Sequence, residues 1–370
     1  MKYKLGEIVD VTMGQSPKSK YYNTEGKGYP FLQGSKTFGF KYPTFDTYTT
    51  VMTKPANAGD VIMSVRAPVG DLNITPVDMC LGRGICSLRM KNGNQNFLFY
   101  MMKYYIPHLL KKESGTVFGS VNRNDINGLE VDIPEDTQVQ KKIARYLKMI
   151  DDKIELNNAI NNNLEQQAQA IFKSWFIDFE PFGNRKPSEW SVSTLGNVSI
   201  MGAGGDKPQN VSPIKTDLYE YPIYSNGLSN EGLYGFTDKP KISEESVTVS
   251  ARGTIGFVCL RHIPYVPIVR LVTLIPKTEI VSAKYLYLWL KQLHITGTGT
   301  TQQQLTVPDF QKTEILVPSQ KIMTLFTATV EPIFEKIWAN QNENEKLSSL
   351  RDTLLPKLMS SELDVSDIEI

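Results

Sequence analysis

The sequence predicts a mixed α/β (α+β) fold: two globular blocks separated by two long antiparallel coiled-coil helices, with an internal two-fold pseudo-repeat. Three observations predict this fold. Residues 137–179 place apolar side chains at alternating spacings of four and three, which is the seam of a coiled coil. The same seam returns near the C-terminus. The segments that precede the two seams also share short motifs in the same order.

Both predicted helices carry a pair of asparagines at matching seam positions. The first seam includes Ile150, Ile154, Asn157, Asn161 and Leu164, and the second includes Ile333, Ile337, Asn340, Asn344 and Leu347. Asparagine is costly in a dry interface and usually fixes register or partner choice. The four asparagines therefore either pair across the two helices or face a docked partner. Each helix would extend about 60 Å at about 1.5 Å per residue.

One residue of the second seam conflicts with a straight helix. Pro332 lies inside it, where proline removes a helical hydrogen bond and clashes with the preceding turn. We expect a kink or a fresh helix start at this residue, and we expect Pro356 to limit the far end of the helix.

The two blocks repeat each other in element order. DVIMSVRAPVG at Asp60–Gly70 returns as SVTVSARGTIG at Ser246–Gly256, and LEVDIP at Leu129–Pro134 returns as TEILVP at Thr313–Pro318. In the first block the pattern predicts strands at 60–65, 84–90 and 129–133 and a helix at 95–110. The expected domains are a first block at 1–135, a first helix at 136–183, a second block at 184–318, and a second helix with its tail at 319–370.

Composition limits the class of protein. No run of 18 apolar residues occurs in the sequence, and the N-terminus lacks an apolar signal-peptide core. We therefore expect a cytoplasmic protein with no membrane partner. The three cysteines form no CxxC pair, so no disulfide framework is expected. Residues 1–135 hold 16 basic and 12 acidic side chains, whereas 319–370 hold 5 and 9. The blocks are thus the expected contacts for a polyanion.

Motifs that carry chemistry are missing from the sequence. No GxxxxGK[ST] phosphate loop occurs, and no GxGxxG motif opens a predicted helix. The three histidines stand far apart without paired ligands, which argues against a zinc site. We therefore expect no catalytic residues, no metal site and no bound cofactor in this chain.

Several motifs, in an order that is doubled along nearly the whole chain, resemble one known family. They are TMGQSPKSKYYN (Thr12–Asn23), YPFLQGSKTFG (Tyr29–Gly39), SVRAPVGDLNI (Ser64–Ile74), SGTVFGSVNRNDINGLEVDIP (Ser114–Pro134), KSWFIDFEPF (Lys173–Phe182) and GTGTTQQQLTVPDFQKTEILVP (Gly297–Pro318). The chain resembles the specificity subunits of type I restriction–modification systems, which defend cells against foreign DNA.

The resemblance implies a function for each part of the chain. Each block would be a target-recognition domain that reads one half of a bipartite sequence in double-stranded DNA. Two modification (methyltransferase) subunits would dock on the helices, and restriction (motor and nuclease) subunits would join through them. DNA adenine methylation would use S-adenosylmethionine, and cleavage would use ATP and Mg, all held by the partner subunits. This chain would be a non-catalytic specificity subunit.

Two rival functions remain open. The chain could itself be a DNA methyltransferase or endonuclease, which the missing cofactor motif argues against. It could also be a coiled-coil scaffold that makes no contact with DNA.

The residues that we expect to contact DNA lie on polar loops next to β-prone runs. DNA recognition needs Arg, Lys, Asn, Gln, Ser and Thr side chains, some for phosphates and some for base edges. In the first block they are Gln15, Ser16, Lys18, Lys20, Lys36, Lys41, Arg66, Thr116, Asn122 and Arg123. In the second block they are Lys207, Asn226, Arg252, Thr254, Thr298, Gln302 and Gln303.

Each group of candidates also has a structural interpretation. Arg66 and Arg252 occupy the same repeat position, where they either contact phosphate or guanine or pair with a nearby carboxylate. Lys18 and Lys20 either contact phosphates or belong to a solvated turn. The run of glutamines at 302–304 either reads adenine or begins a polar helix. The aromatic residues at the end of the first helix form either a hydrophobic plug between helix and block or a platform on which bases stack. They are Trp175, Phe176, Phe179 and Phe182.

Overall fold

The structure is a computed structural model that describes residues 1–111, 119–297 and 303–365. Its helices are α1 (Leu5–Ile8), α2 (Gln95–Lys111), α3 (Arg123–Asn127), α4 (Thr137–Phe176), α5 (Leu195–Val198), α6 (Ala283–Gln292), α7 (Val307–Phe310) and α8 (Gln320–Met359). Single 3₁₀ turns occur at Ser19–Tyr21, Glu180–Phe182 and Ser229–Gly232.

The strands fall in two groups along the chain. The first group is β1 (Lys2–Lys4), β2 (Val9–Met13), β3 (Tyr22–Asn23), β4 (Tyr29–Leu32), β5 (Tyr48–Thr49), β6 (Pro55–Ala56), β7 (Val61–Ser64), β8 (Leu72–Ile74), β9 (Met79–Leu81), β10 (Ile85–Met90) and β11 (Glu130–Asp132). The second is β12 (Ser191–Thr194), β13 (Ser199–Ala203), β14 (Tyr221–Tyr224), β15 (Leu233–Thr237), β16 (Ser246–Val249), β17 (Val258–Arg261), β18 (Val266–Pro267), β19 (Val272–Pro276) and β20 (Glu314–Val317).

The chain folds as two compact units. Unit 1 contains Met1–Ala159 together with the chain from Asn340 onward, and unit 2 contains Ile160–Ala339. The division falls inside α4 and inside α8, so each unit contains one globular block and one segment of each long helix.

The core of unit 1 forms between an antiparallel sheet and helices. The sheet has the order β2-β10-β7-β8, and α2 packs on it. All four side chains of β7 are buried, as expected for a strand covered on both faces. Leu147 of α4 and Leu358 of α8 belong to the same apolar core. The remaining strands form the sheets β1-β11 and β3-β5-β4-β9-β6.

Unit 2 repeats this arrangement with different side chains. Its sheets have the orders β13-β19-β16-β17, β12-β20 and β15-β14-β18, and α6 packs on the first of them. Backbone hydrogen bonds repeat as well: Gly70 N donates to Ser64 O at 2.9 Å, and Gly256 N donates to Ser250 O at 3.0 Å. The predicted mixed fold with long helices and an internal pseudo-repeat is confirmed.

Within each unit the two helix segments run antiparallel and are held in register by seam asparagines. In unit 1, Asn157 Nδ2 donates to Glu343 Oε2 at 2.8 Å and to Asn344 Oδ1 at 2.9 Å. In unit 2, Asn161 Nδ2 donates to the carbonyl of Ile337 at 3.3 Å. Asn157 and Asn340 are 1% and 2% exposed. Of the two interpretations for these asparagines, the structure supports pairing across the helices.

Of the two outcomes expected at Pro332, a kink or a fresh helix start, the fresh start is wrong. Every residue from Gln320 to Met359 is helical, and the helix ends at Met359, shortly after Pro356. Pro332 is exposed, and so is Ala328, whose carbonyl would have accepted the missing bond. Water can solvate that carbonyl, while Val330 and Phe334 on the opposite face are buried in the core of unit 2. Packing of the buried face therefore outweighs the lost hydrogen bond.

The aromatic residues at the end of α4 form the predicted plug. Phe176 is 1% exposed. Its ring centroid lies 4.8 Å from that of Phe326, 4.9 Å from that of Tyr285 and 5.5 Å from that of Trp190. Trp175, Phe179 and Phe182 pack against the same core. These rings are engaged with one another inside unit 2, which excludes Phe176 as a surface for stacking bases.

A polar cluster ties the helix segments of unit 1 to its block. Asp151 is fully buried, and its Oδ1 accepts from Arg351 Nη1 at 2.9 Å. Its Oδ2 accepts from the hydroxyl of Tyr100 at 2.8 Å. Burial and the adjacent carboxylate raise the pKa of Tyr100, which keeps that hydroxyl protonated as a donor. The cluster therefore joins α2, α4 and α8 through one carboxylate.

Replacing Arg351 tests this cluster. Arg351→Met removes one donor to the buried carboxylate of Asp151, which keeps the hydroxyl of Tyr100 and the Nζ of Lys103, 3.9 Å away. We therefore expect the free energy of unfolding to fall by about 1–3 kcal/mol. Urea denaturation of the purified chain measures the change. The control Lys346→Met, at an exposed position of α8, should change it by less than about 0.5 kcal/mol. Equal effects of the two variants would contradict the assigned role of Asp151.

Candidate nucleic-acid interface

Unit 1 contains an open cleft of about 510 Å³ where the ends of three strands meet. One wall of the cleft is formed by residues that follow β4 in the chain, a second by residues that follow β7, and a third by residues between β9 and β10. The lining residues are Ser16, Gln33, Gly34, Ser35, Lys36, Arg66, Ala67, Pro68, Asp71, Arg83 and Gly84. Three of the predicted DNA contacts, Ser16, Lys36 and Arg66, are thus brought together.

Positive charge dominates this cleft. The side chains of Lys36, Arg66 and Arg83 are exposed. The carboxylate in the lining, Asp71, accepts from the hydroxyl of Ser35 at 2.7 Å. Three cations beside one carboxylate favour an anionic ligand, and arginine and lysine are the usual partners of phosphates and of guanine O6 and N7.

Arg83 was not predicted from the sequence as a DNA contact. It lies on a turn between Gly82 and Gly84, two positions at which only glycine fits. A Cβ on Gly82 would lie 2.6 Å from the carbonyl oxygen of Leu32, and one on Gly84 would lie 2.3 Å from that of Gln33. The backbone N–H groups of both glycines donate to these same carbonyls, at 2.8 and 2.9 Å. An arginine between two glycines after a buried strand was the available signal in the sequence.

Unit 2 carries arginines on the corresponding turns. The Nε and Nη2 groups of Arg252 donate to Gln304 Oε1 at 3.2 and 3.0 Å. Arg270, also missed, is exposed and has a φ of 62°, in the left-handed region. Its backbone N donates to the carbonyl of Gly204 at 2.9 Å. The partner of Arg252 within unit 2 is therefore an amide, whereas the structural interpretation of this position assumed a carboxylate.

Some predicted contacts have structural partners instead. Lys41 is 1% exposed, and its Nζ lies 3.4 Å from Asp152 Oδ1, so it does not lie on a surface loop as we expected. Asn122 caps α3 by accepting from Asn124 N at 2.8 Å. Arg123 donates to the carbonyl of Val11 at 2.7 Å. Burial beside Asp152 argues against base recognition by Lys41, and the capping contact occupies the side-chain oxygen of Asn122.

Asn226 has a structural role in the second block. Its Nδ2 donates to the carbonyl of Val269 at 2.7 Å, and its Oδ1 accepts from Ala251 N at 2.7 Å. Both ends of the amide are engaged with the backbones of the two arginine-bearing turns. Asn226 therefore holds these turns together.

The other predicted contacts lie on the surface but outside the cleft lining. Gln15, Lys18, Lys20, Lys207, Thr254 and Gln303 are exposed. Lys20 Nζ lies 5.0 Å from the ring of Tyr21, and Lys207 Nζ lies 6.0 Å from the ring of Tyr234. Thr116, Thr298 and Gln302 lie outside the described residues.

Among the described residues no metal-ligating cluster occurs, and two of the three cysteines remain protonated thiols. Among them, no three His, Cys, Asp or Glu side chains are grouped so that they could hold a metal ion. Cys80, Cys86 and Cys259 are buried. Burial raises the pKa of Cys86 and of Cys259 to about 12, so neither forms the nucleophilic thiolate at neutral pH. None of the described helices has the length and apolar character needed to cross a bilayer.

Comparison with known proteins gives a consistent family. The model of the type I restriction modification DNA specificity domain matches residues 1–166 and 187–348. The specificity subunit of the type I restriction enzyme MjaIX of Methanocaldococcus jannaschii is 25% identical, over 99% of this chain and 94% of the relative. That of the type I restriction enzyme HindI of Haemophilus influenzae is 27% identical, over 84% of this chain and 88% of the relative.

A solved structure shares the fold. The crystal structure of the S subunit of a type I restriction–modification system from M. genitalium superposes with a TM-score of 0.59 at 18% identity, covering 97% of this chain and 95% of that chain. The family model covers both blocks and most of both helices. The chain therefore belongs to the DNA specificity family of type I restriction–modification systems.

Proposed function

We propose that this specificity subunit reads a bipartite target in double-stranded DNA, with one half-site for each block. The observation that carries the proposal is the repetition of two arginine-bearing turns, Arg66 with Arg83 in unit 1 and Arg252 with Arg270 in unit 2. A doubled set of DNA contacts suits a target that has two separate halves. The differences between the two blocks allow those halves to differ in sequence.

Each block would combine two kinds of contact. Exposed lysines such as Lys36 suit phosphates, which fix the position of the protein along the duplex. The guanidinium groups on the turns suit the paired acceptors of guanine in the major groove. Glycines beside the Arg83 turn support this role, because they let the backbone approach neighbouring strands closely and hold the arginine in place.

The long helices would be the docking sites for two modification subunits, through which restriction subunits join. In unit 1 the outer face of α4 exposes Met149 and Leu156, which are 57% and 54% accessible and seven residues apart on one stripe. Large apolar side chains that stay exposed on a helix favour burial against a partner.

We infer that catalysis resides on the partner subunits. S-adenosylmethionine, ATP and Mg would be bound there, and this chain would be non-catalytic. The raised pKa values of the Cys86 and Cys259 thiols, and the lack of a cofactor motif in the sequence, support this assignment over the rival in which the chain itself modifies or cuts DNA. Binding of S-adenosylmethionine to the isolated chain, measured by calorimetry, would contradict it.

The central experiment is methylation sequencing of DNA from cells that express this chain with its modification subunit. We expect a bipartite adenine-methylated motif that is absent when the modification subunit is expressed alone. If no motif appears although the complex assembles, the chain is a scaffold that makes no sequence-specific contact with DNA.

The cleft of unit 1 can be tested with Arg66→Ala and Arg83→Ala. Loss of a guanine contact should lower the initial rate of methylation of the cognate duplex about 5- to 150-fold and relax one base of one half-site. Loss of a phosphate contact should instead weaken binding to all sequences and reduce the slope of log K against log salt by about 1.

Arg185→Ala is the matched control, since Arg185 is exposed and lies on the connection after α4. It should leave both the motif and the methylation rate unchanged. A change in both half-sites caused by Arg66→Ala or Arg83→Ala would overturn the assignment of one half-site to one block.

The docking face can be tested with the double variant Met149→Asp/Leu156→Asp. Introducing two carboxylates into an apolar contact should reduce copurification of the modification subunit at least about tenfold, because burying an unpaired charge is costly. The control Lys141→Gln/Lys346→Gln makes the same change in net charge at exposed positions. Equal losses with both double variants would show that charge, rather than this apolar stripe, governs docking.

A further inference from the structure

The turn that joins β14 to β15 in unit 2 lies directly beside both arginine-bearing turns. Asn226, near its start, donates to the Val269 carbonyl on one arginine turn and accepts from the Ala251 backbone on the other, each at 2.7 Å. The turn is closed by a hydrogen bond from Ser225 N to Gly232 O at 2.8 Å. Gly232 is required there, since its φ is 82° and a Cβ would lie 2.2 Å from the Ser225 carbonyl oxygen.

The backbone at the tip is held in an uncommon conformation. Asn230 and Glu231 have φ values of 46° and 53°, in the left-handed region where residues other than glycine are infrequent. Such conformations persist only when surrounding contacts impose them, and they concentrate at binding sites. Leu228, Ser229 and Asn230 are exposed at this tip, with Leu228 57% accessible.

Arg261 imposes this conformation from the neighbouring sheet. Its side chain is 3% exposed, and its guanidinium carbon lies 3.6 Å from the ring centroid of Tyr224. Nε donates to Thr248 Oγ1 at 3.0 Å, Nη1 to Glu231 Oε2 at 2.8 Å, and Nη2 to the Glu231 carbonyl at 2.7 Å. The planar guanidinium thus joins β14, β16 and β17 to the strained residue, with all three of its nitrogens engaged.

The pseudo-repeat assigns a counterpart to this turn. Strand β4 of unit 1 pairs in parallel with β9, as β14 of unit 2 pairs in parallel with β18. The segment after β4, which includes Gln33, Ser35 and Lys36, lines the basic cleft. The turn after β14 in unit 2 is therefore the counterpart of the segment after β4, which lines the candidate interface in unit 1.

We propose that residues 225–232 form a preshaped reading loop for one half-site, in which Leu228 and Asn230 contact the DNA and Arg261 and Asn226 are positioning residues. This rests on the proposed function. Asparagine reads adenine through its amide, and an apolar side chain fits a thymine methyl group. The fixed tip lowers the ordering cost of binding, because its conformation exists before DNA arrives.

The test measures methylation motifs and initial rates for the complex of this chain with its modification subunit. The double variant Leu228→Ala/Asn230→Gly removes both outward side chains, while glycine still accepts the positive φ. We expect a relaxed sequence in one half-site only, with the methylation rate on the original motif lowered about 5- to 150-fold. The affected half should be the one that Arg83→Ala leaves unchanged.

The positioning role has its own variants. Arg261→Met retains the apolar stem but loses every hydrogen bond to the tip, so we expect the same half-site to relax. Glu231→Gln retains an acceptor for Nη1 and should keep the wild-type motif. The other half-site reports that unit 1 is folded, and urea denaturation of each variant, compared with the wild-type chain, reports whether unit 2 is folded as well. The control Lys215→Ala, at an exposed position outside this turn, should change nothing.

The outcomes separate the two proposals. If the wild-type complex assembles but yields no bipartite motif, the proposed function fails and this inference fails with it. If the wild type yields a motif and the double variant alters neither half, the reading loop is overturned while the function stands. If the double variant alters both halves, the loop is not specific to one half-site, which also overturns the inference.

Discussion

In each unit the two antiparallel helix segments must keep their register for the hydrophobic core to form. In unit 1, Leu147 of α4 and Leu358 of α8 belong to the same core as the sheet beneath α2. In unit 2, Phe176 of α4 and Phe326 of α8 do the same for the second block. A slip of either helix would withdraw these side chains from the core. In each unit the block and its helix segments therefore share one hydrophobic core.

Polar groups set this register because apolar packing alone is permissive. Aliphatic side chains along a seam can often exchange neighbours at little cost, whereas a buried amide or carboxylate must meet its partner. Asn157 donates hydrogen bonds to Glu343 and Asn344, and Asp151 accepts hydrogen bonds from Arg351 and Tyr100. If one helix shifted in register, the polar groups in these contacts would lose their partners, and shifted pairings are therefore disfavoured. Specificity of alignment is what the polar seam contributes.

The candidate interface follows a different rule, in which rigid strands support constrained turns. Arg83 lies between two glycines whose side-chain space is filled by neighbouring carbonyls. In unit 2, Val269, Arg270, Asn230 and Glu231 all have positive φ values. Strained turns of this kind need compensation from the scaffold, which Asn226 and Arg261 supply through their hydrogen bonds. The arrangement suits recognition, since DNA would meet arginines that are already in position.

The architecture could be predicted from the amino-acid sequence, because periodicity and repetition are properties of the chain alone. The seam with its paired asparagines predicted both long helices, and the repeated motifs predicted two similar blocks. Arg66 and Lys36 were recognised as candidate contacts because glycine-rich loops follow their strands. These signals are local in sequence, and the two periodicities of helix and strand preserve them.

Which polar residues face solvent depends on tertiary contacts and could not be predicted from local sequence patterns. Lys41 follows a loop pattern, yet it is buried near Asp152, a residue far away along the chain. Proline normally disrupts the interior of a helix, but α8 continues through Pro332. Pro332 lies on the exposed face of α8, while Phe334 on the opposite face is buried in the core. Arg83, Arg270 and the turn held by Arg261 became apparent only when separate strands were brought together. Burial and hydrogen-bond partners depend on contacts between distant segments, and a local pattern in the sequence carries no record of them.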